Sequence, residues 1–475
     1  MVKTYEELAG ALGGAQLFRR RRYDAVDLFS GEPPTLYFDD HRFELRNISG
    51  SGAGANTRST DDEALIDVNR LGVLKLVQRG EELFRGEARC ARLEHLPGKM
   101  FSGFALDSQQ FDLTALQRLN ARVIAKSRIS PFLQVSEAYR AHCSDIVAFV
   151  GAHCMRIERF MAPLEGEWSG AERKAIFSEL LAGVEQDWRT LLHRGNAFAL
   201  DVRYDKDRLV AMKSFTEAGV TTALTGGASW NRCYFKPMGY PGDYKIMNYM
   251  YDQAPEGTNL KEQFLHGLGL IAGRPIHTRM LVLADIIVDH CCGLADDGPI
   301  RIASIGSGPA RELEHIVAKS DSSKPIIATL IDQEIDALEY AVDYVNAQRQ
   351  TEKLEIRALN TTFKSMFNPS GIDGLHDQDV IYSLGLVDYF SPLMARRFVS
   401  RAYELLRPGG KVVIGNASDT ADGTIWTMEH ILDWSLYFRS REEMSDLAAG
   451  IPGAQVSVTV DPLNSIYFLV VKKPA

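Results

Sequence analysis

The strongest chemical signal is a pair of glycines in Arg301-Ile-Ala-Ser-Ile-Gly306-Ser307-Gly308-Pro-Ala-Arg311-Glu312, which follow a short apolar run and precede a helical pattern. A backbone without Cβ atoms turns tightly there and lets a ligand come close. The free N–H groups of the helix that follows would then point at that ligand. Alone, such a loop is equally an ordinary surface turn. Three downstream positions change its weight. Asp332-Gln333 closes the apolar run 325–331, Asn360-Thr361 closes 354–359, and Ser383-Leu384-Gly385 closes 379–382. A carboxylate at 332 is a two-oxygen acceptor at the end of an apolar run. The G-x-G-x-x-G dinucleotide fingerprint needs a third glycine where Arg311 stands, so a dinucleotide fits poorly.

A second group surrounds the loop Asn231-Arg-Cys-Tyr-Phe-Lys236-Pro-Met-Gly-Tyr240-Pro-Gly-Asp243-Tyr244. Its prolines and glycines enforce a defined path. Tyr240, Asp243 and Tyr244 are then either ligand contacts or groups packed on the domain. Asp388-Tyr389 adds another carboxylate and phenol after the fourth apolar run, and either aspartate could serve as a base for an amine or hydroxyl substrate. Arg274, His277 and Arg279 open a helix that runs to about residue 292. The start of a helix already carries partial positive charge, so these three form an anion site or are simply solvated. Trp434 and Arg439, with Tyr437, fall on or just beyond a helix expected near residues 429–438. Trp426, Trp434 and Phe438 could supply an apolar wall, although core packing is the plainer fate of a tryptophan.

The elements that must position these residues read as follows. After residue 296, strands and helices alternate, and the near-continuous apolar strands predict a buried parallel sheet covered on both faces. Residues 455–460 and 466–471 look like a closing antiparallel pair. In such sheets ligands bind at the carboxyl ends of the strands, where Gly306, Asp332, Asn360 and Ser383 all fall. Residues 34–107 instead show period-two alternation with hairpin turns, the pattern of a small antiparallel barrel. Between them lie helical stripes, one opened by the capping box Ser169-Gly-Ala-Glu172. The expected domains are a barrel over 1–109, a helical connector over 110–225, which could also mediate an oligomer, and the α/β domain over 226–475.

Composition narrows the class. The 475 residues exceed one ordinary core, and a net charge of −9 argues against nucleic acid. No apolar run approaches a membrane span or a secretory signal, so a cytoplasmic protein is expected. Six scattered cysteines and histidines without metal spacing predict buried thiols and no metal site.

Several motifs carry family resemblances. The G-x-G strand, the acidic end of the second strand, Asp379-Val-Ile-Tyr-Ser-Leu and Leu405-Leu-Arg-Pro-Gly-Gly410 together resemble class I S-adenosylmethionine-dependent methyltransferases over residues 296–474. The resemblance implies a Rossmann-like, mostly parallel seven-stranded sheet. It places the methionine part of the cofactor at Gly306, Ser307 and Gly308, and the ribose at Asp332 beside Gln333. Adenine falls at Asn360 and Thr361, and the floor near the sulfonium at Ser383, Leu384 and Gly385. The block 236–244, with Tyr382-Ser-Leu-Gly-Leu-Val-Asp388-Tyr389, looks like bacterial methyltransferases of the extracellular-factor type. That implies O-methylation of a 3-hydroxy fatty acid to a methyl ester quorum-sensing signal. Tyr240, Asp243, Tyr244, Asp388 and Tyr389 would then surround the reaction, and Arg274, His277, Trp434 or Arg439 would hold the acceptor. Arg46-Asn47-Ile-Ser49-Gly-Ser-Gly52 is similar to the second motif of PilZ domains, which bind cyclic di-GMP. That family's spaced arginine pair is absent from the consecutive run Arg19 to Arg22, of which Arg21 and Arg22 are the nearest candidates. The alternative this raises is a cyclic di-GMP-binding regulator whose methyltransferase fold is a docking module.

Overall fold

The computed structural model describes residues 23–39, 41–57, 67–96, 99–106, 109–126, 135–294, 298–319, 324–347, 353–367 and 375–474. The chain divides into two compact units at about residue 129.

The first unit is a closed antiparallel barrel. A two-residue strand β1 (Tyr23–Asp24) leads to β2 (Thr35–Phe38), β3 (His41–Ser49), β4 (Gly52–Thr57), β5 (Leu71–Gln78), β6 (Glu81–Leu96) and β7 (Lys99–Ala105). β3 pairs with both β2 and β4, and β4 returns to β7, so six strands close on themselves. Alternate residues Leu36 and Phe38, Phe43 and Leu45, and Leu74 and Leu76 fill the interior, as the period of two requires. The Leu113–Lys126 helix adds Leu116 and Val123 to that core, and the Gln117 side chain donates to the Leu28 carbonyl. One long strand, β6, pairs with both β5 and β7, and the N-x-S-x-x-G stretch forms the turn from β3 into β4. Ser49 is buried and its hydroxyl donates to the Gly52 carbonyl (3.3 Å). A Cβ on Gly52 would lie 2.3 Å from the Phe104 carbonyl oxygen on β7. Ser49 and Gly52 are thus accounted for by the hairpin itself, and Asn47 sits half-buried beside Gly54. Arg21 and Arg22 lie outside the described residues.

The second unit holds the sheet β8 (Ile300–Ile305), β9 (Ile326–Asp332), β10 (Leu354–Asn360), β11 (Gln378–Leu384), β12 (Leu406–Ala417), β13 (Gln455–Val460) and β14 (Ile466–Lys472). Its order is β10-β9-β8-β11-β12-β14-β13. The first five strands are parallel; β14 inserts antiparallel beside β12 and β13 follows it antiparallel. The sheet is therefore mixed, not wholly parallel. The chain reverses direction across the sheet between β8 and β11, which opens a crevice at their carboxyl ends.

The helices between Glu137 and Leu224 share one hydrophobic core with this unit, centred on Trp188, Trp230 and Phe264. The longest, Gly170–Val202, starts at the expected Ser169/Glu172 capping box. The Leu260–Ala272 helix was not anticipated. Most of its residues are buried, so it shows no amphipathic stripe to read. The helix expected near 429–438 is corrected as well. A short π-helix, Trp426–Ile431, covers only its first three residues, and residues 432–439 are not helical. Trp426 does not wall a ligand site. It is fully buried, its ring 2.4 Å from where a Cβ on Gly195 would stand, and its indole N–H donates to the Tyr139 hydroxyl. Phe438 is likewise core. Five cysteines are buried as expected, while Cys292 is exposed. No described helix is long and apolar enough to cross a membrane.

Burial leaves a pH signature in this core. His430 is 2% exposed, and burial, with the Lys213 charge, pushes its pKa from 6.5 down to about 3. The unfolded chain therefore binds the proton first as pH falls. The stability this histidine contributes is full above pH 6.5 and is lost toward pH 3. A His430→Gln variant is expected to lose less stability than the parent between pH 7 and pH 4, measured as the shift in urea midpoint. Equal shifts would exclude His430 as a source of acid lability.

Candidate functional site

One cavity of about 400 Å³ opens at the carboxyl ends of β8, β9, β10 and β11. Gly306 and Gly308 adopt φ of 70° and 52°, values that favour glycine. A Cβ at 306 would press on Leu386 (3.1 Å), while one at 308 would project into open space. Between them Ser307 is almost buried, and its hydroxyl has no hydrogen-bond partner among the described residues. A buried unpartnered polar atom is costly unless a ligand or water completes it.

Asp332 is already oriented. Its Oδ2 accepts the Gly308 N–H (2.8 Å) and its Oδ1 accepts the Glu334 N–H (2.9 Å). Each oxygen keeps a lone pair for a hydroxyl group. Gln333, Thr361, Leu384 and Gly385 line the same cavity. Asn360 and Ser383 support it from outside. The Asn360 amide donates to the carbonyls of Asp332 and Gln333, holding the turn after β9. The Ser383 hydroxyl donates to the Ile305 carbonyl (2.8 Å), tying β11 to the end of β8.

The loop at 236–243 forms part of the wall with Tyr240 and Gly242, followed by Tyr244. Burial, with the Glu334 and Asp332 carboxylates nearby, holds the Tyr240 phenol well above its ordinary pKa, so it stays neutral. Asp243 is outside the lining and 1% exposed. Its Oδ1 caps the Tyr244–Asp252 helix by accepting from Lys245 and Ile246 N–H, and it pairs with Arg232 (2.8 Å). Lys236, at φ 50°, anchors the loop by donating to the Asp433 carbonyl (2.8 Å). Asp388 lines the cavity but is buried, with Oδ1 accepting the Ala417 N–H (2.8 Å). Burial raises its pKa, partly offset by the charges of Arg279 and Arg439 and by that N–H. Tyr389 and Trp434 meet in the wall, the indole N–H donating to the phenol oxygen (2.7 Å). Gly242 is required there, since a Cβ would lie 2.7 Å from the Trp434 ring.

Three of the expected acceptor residues point elsewhere. Arg274 pairs with Glu185. His277 is half-buried outside the lining, and burial followed by the charges of His315, Arg274 and Arg311 lowers its pKa. Arg439 is 3% exposed and donates to the carbonyls of Val387 (3.1 Å) and Phe390 (2.5 Å) and to the Asn416 side chain. It pins the turn that carries Asp388 and Tyr389. The cation that does face the cavity is Arg279. Most of the other wall residues are apolar, Met247, Met250, Ile276, Leu432 and Leu436 among them.

The arrangement combines a polar end at Ser307 and Asp332 with a largely apolar chamber. No family model and no curated protein matches the chain. Among solved structures it is similar to a possible exported protein of Bordetella parapertussis, at 16% identity over 65% of this chain and 99% of the other, with a TM-score of 0.39. It is also similar to magnesium protoporphyrin IX methyltransferase of Synechocystis PCC 6803 with bound SAH (10%, 51% and 97%, TM-score 0.35). A third likeness is to the 1,6-didemethyltoxoflavin-N1-methyltransferase of Burkholderia thailandensis with bound S-adenosylhomocysteine (18%, 43% and 83%, TM-score 0.31). These likenesses are distant, and what the cavity can do follows from its own residues.

Proposed function

We propose that the second unit is an S-adenosylmethionine-dependent methyltransferase for a small molecule, with the carboxylate of a long-chain 3-hydroxy acid as the acceptor. The observation that carries this reading is Asp332, held by the Gly308 and Glu334 amides beside the unpartnered Ser307 hydroxyl. Asp332 takes the ribose diol, Gly306, Ser307 and Gly308 take the amino-acid end, and Gln333 and Thr361 flank the adenine. Asn360 and Ser383 act by shaping that surface. When bound, the cofactor supplies a methyl group on a sulfonium, already a strong electrophile. The protein's share is orientation and exclusion of water.

A carboxylate acceptor needs no base, which suits this wall. Tyr240 stays protonated, Asp243 is a helix cap, and Asp388 is engaged by the Ala417 amide. The methionines, Ile276, Leu432 and Leu436 suit an acyl chain. Incubation with labelled cofactor and 3-hydroxy acids of increasing chain length, followed by mass spectrometry, tests the reading. A labelled methyl ester is expected. Label on a nitrogen or hydroxyl instead would sink the acceptor and return Asp388 as a base.

For the first unit we propose, from its closed six-stranded barrel, a PilZ-like regulatory module with cyclic di-GMP as its ligand. Titrating the full chain with cyclic di-GMP tests this, with Asn47→Ala expected to weaken binding. No heat of binding in the parent protein would remove the barrel from that role.

A further inference from the structure

The wall of the cavity carries one cation among its described residues, Arg279, on the Arg274–Cys292 helix. Its guanidinium lies against Gly385, where a Cβ would come within 2.9 Å of Nη2. The guanidinium thus sits at the end of β11, where Gly385, at φ 94°, leaves it room. Arg279 forms no ion pair among the described residues. Among these residues its Nη2 donates to the Met247 sulfur (3.8 Å), and its buried Nε has no partner. Asp388 and Glu312 feel its charge but are held by other donors, the Ala417 amide and the Tyr382 hydroxyl. Every neighbouring arginine that was a candidate for the same task is committed, Arg274 to Glu185 and Arg439 to backbone carbonyls. A half-buried guanidinium without a counter-ion destabilises a resting protein. Such a group is retained where a ligand supplies the missing charge.

We infer that Arg279 is the carboxylate-binding residue of this cavity. The planar fork of a guanidinium matches the two oxygens of a carboxylate. On a largely apolar wall this guanidinium offers a carboxylate an opposite charge. This assignment rests on the methyltransferase reading for its two sources of carboxylate, the amino-acid end of the cofactor and the head group of the acceptor. In either case Arg279 orients a reactant, and the methyl transfer itself is left to the sulfonium and the acceptor oxygen.

Two probe pairs separate the sources by calorimetry. The first is S-adenosylhomocysteine against 5′-methylthioadenosine, which lacks the amino acid. The second is 3-hydroxypalmitate against its methyl ester. Arg279→Gln is expected to weaken the carboxylate-bearing member of one pair roughly ten- to hundredfold and to leave its neutral partner unchanged. The pair affected names the source. Arg279→Lys, which keeps the charge and loses the fork, should recover part of the affinity. Unliganded Arg279→Gln should melt no lower than the parent protein, because a charge without a partner has been removed. Unchanged binding of both carboxylate probes would overturn the assignment. So would equal weakening within each pair together with a lower melting temperature, the mark of a structural role. A parent protein that binds no S-adenosylhomocysteine refutes the methyltransferase reading on its own, and the fatty-acid pair then decides Arg279 separately.

Discussion

Replacing Asp332 with alanine will weaken S-adenosylhomocysteine binding by roughly two to three orders of magnitude. Two hydroxyl groups donating to one ionised carboxylate contribute on the order of 3–4 kcal/mol together. The variant also leaves the Gly308 and Glu334 amides without the acceptor that sets the loop. Asp332→Asn will recover only part of the affinity. Its amide must turn an N–H toward one of those two backbone donors, so the glycine loop or the turn after β9 loosens. Titration calorimetry reads both effects. Affinity in Asp332→Ala within about threefold of the parent would remove Asp332 from the ribose.

The second large effect is one of stability. Arg439→Met will destabilise the protein by about 3 kcal/mol, because the carbonyls of Val387 and Phe390 and the Asn416 side chain lose their buried donor. The urea midpoint measures this. The folded fraction of the variant will keep its KM for the acceptor. A raised KM at unchanged stability would restore Arg439 to the acceptor site.

The contrast between Asp332 and Arg439 shows where sequence was sufficient. A carboxylate after an apolar strand of an α/β domain has only one place to be, the carboxyl edge of the sheet, so Asp332 could be placed from order alone. The same holds for Gly306, Gly308 and Gly385. The arginines had no such constraint. Arg274 and Arg279 start the same helix, but five residues rotate the side chain by roughly 140°. One therefore reaches Glu185 and the other the cavity. Without knowing which face of the helix meets the sheet, the two are indistinguishable. Asp243 was legible in principle. An aspartate after Pro-Gly and before the helical Tyr-Lys-Ile-Met is a helix N-cap, and the cap excludes it as a free base. The apolar wall was hidden for a different reason. It is built partly by the Leu260–Ala272 helix, whose burial on several sides removes the periodicity that would announce it, and partly by residues 424–436, which hold only a short π-helix.

That division of labour has a consequence for assembly. The polar end of the cavity comes from four neighbouring strands, but its walls come from residues 229–279, before the sheet begins, and 424–466, near its last strand. Closing them requires contacts across about two hundred residues, which form slowly in a chain that also has to build five parallel strands. During synthesis the site is an open trough with exposed apolar sides until β14 slots in beside β12, a state prone to self-association. A ligand that bridges both walls would act as a late clamp on the finished chain, and truncation within the final hairpin would leave an unclosed, aggregation-prone intermediate in place of a slower enzyme.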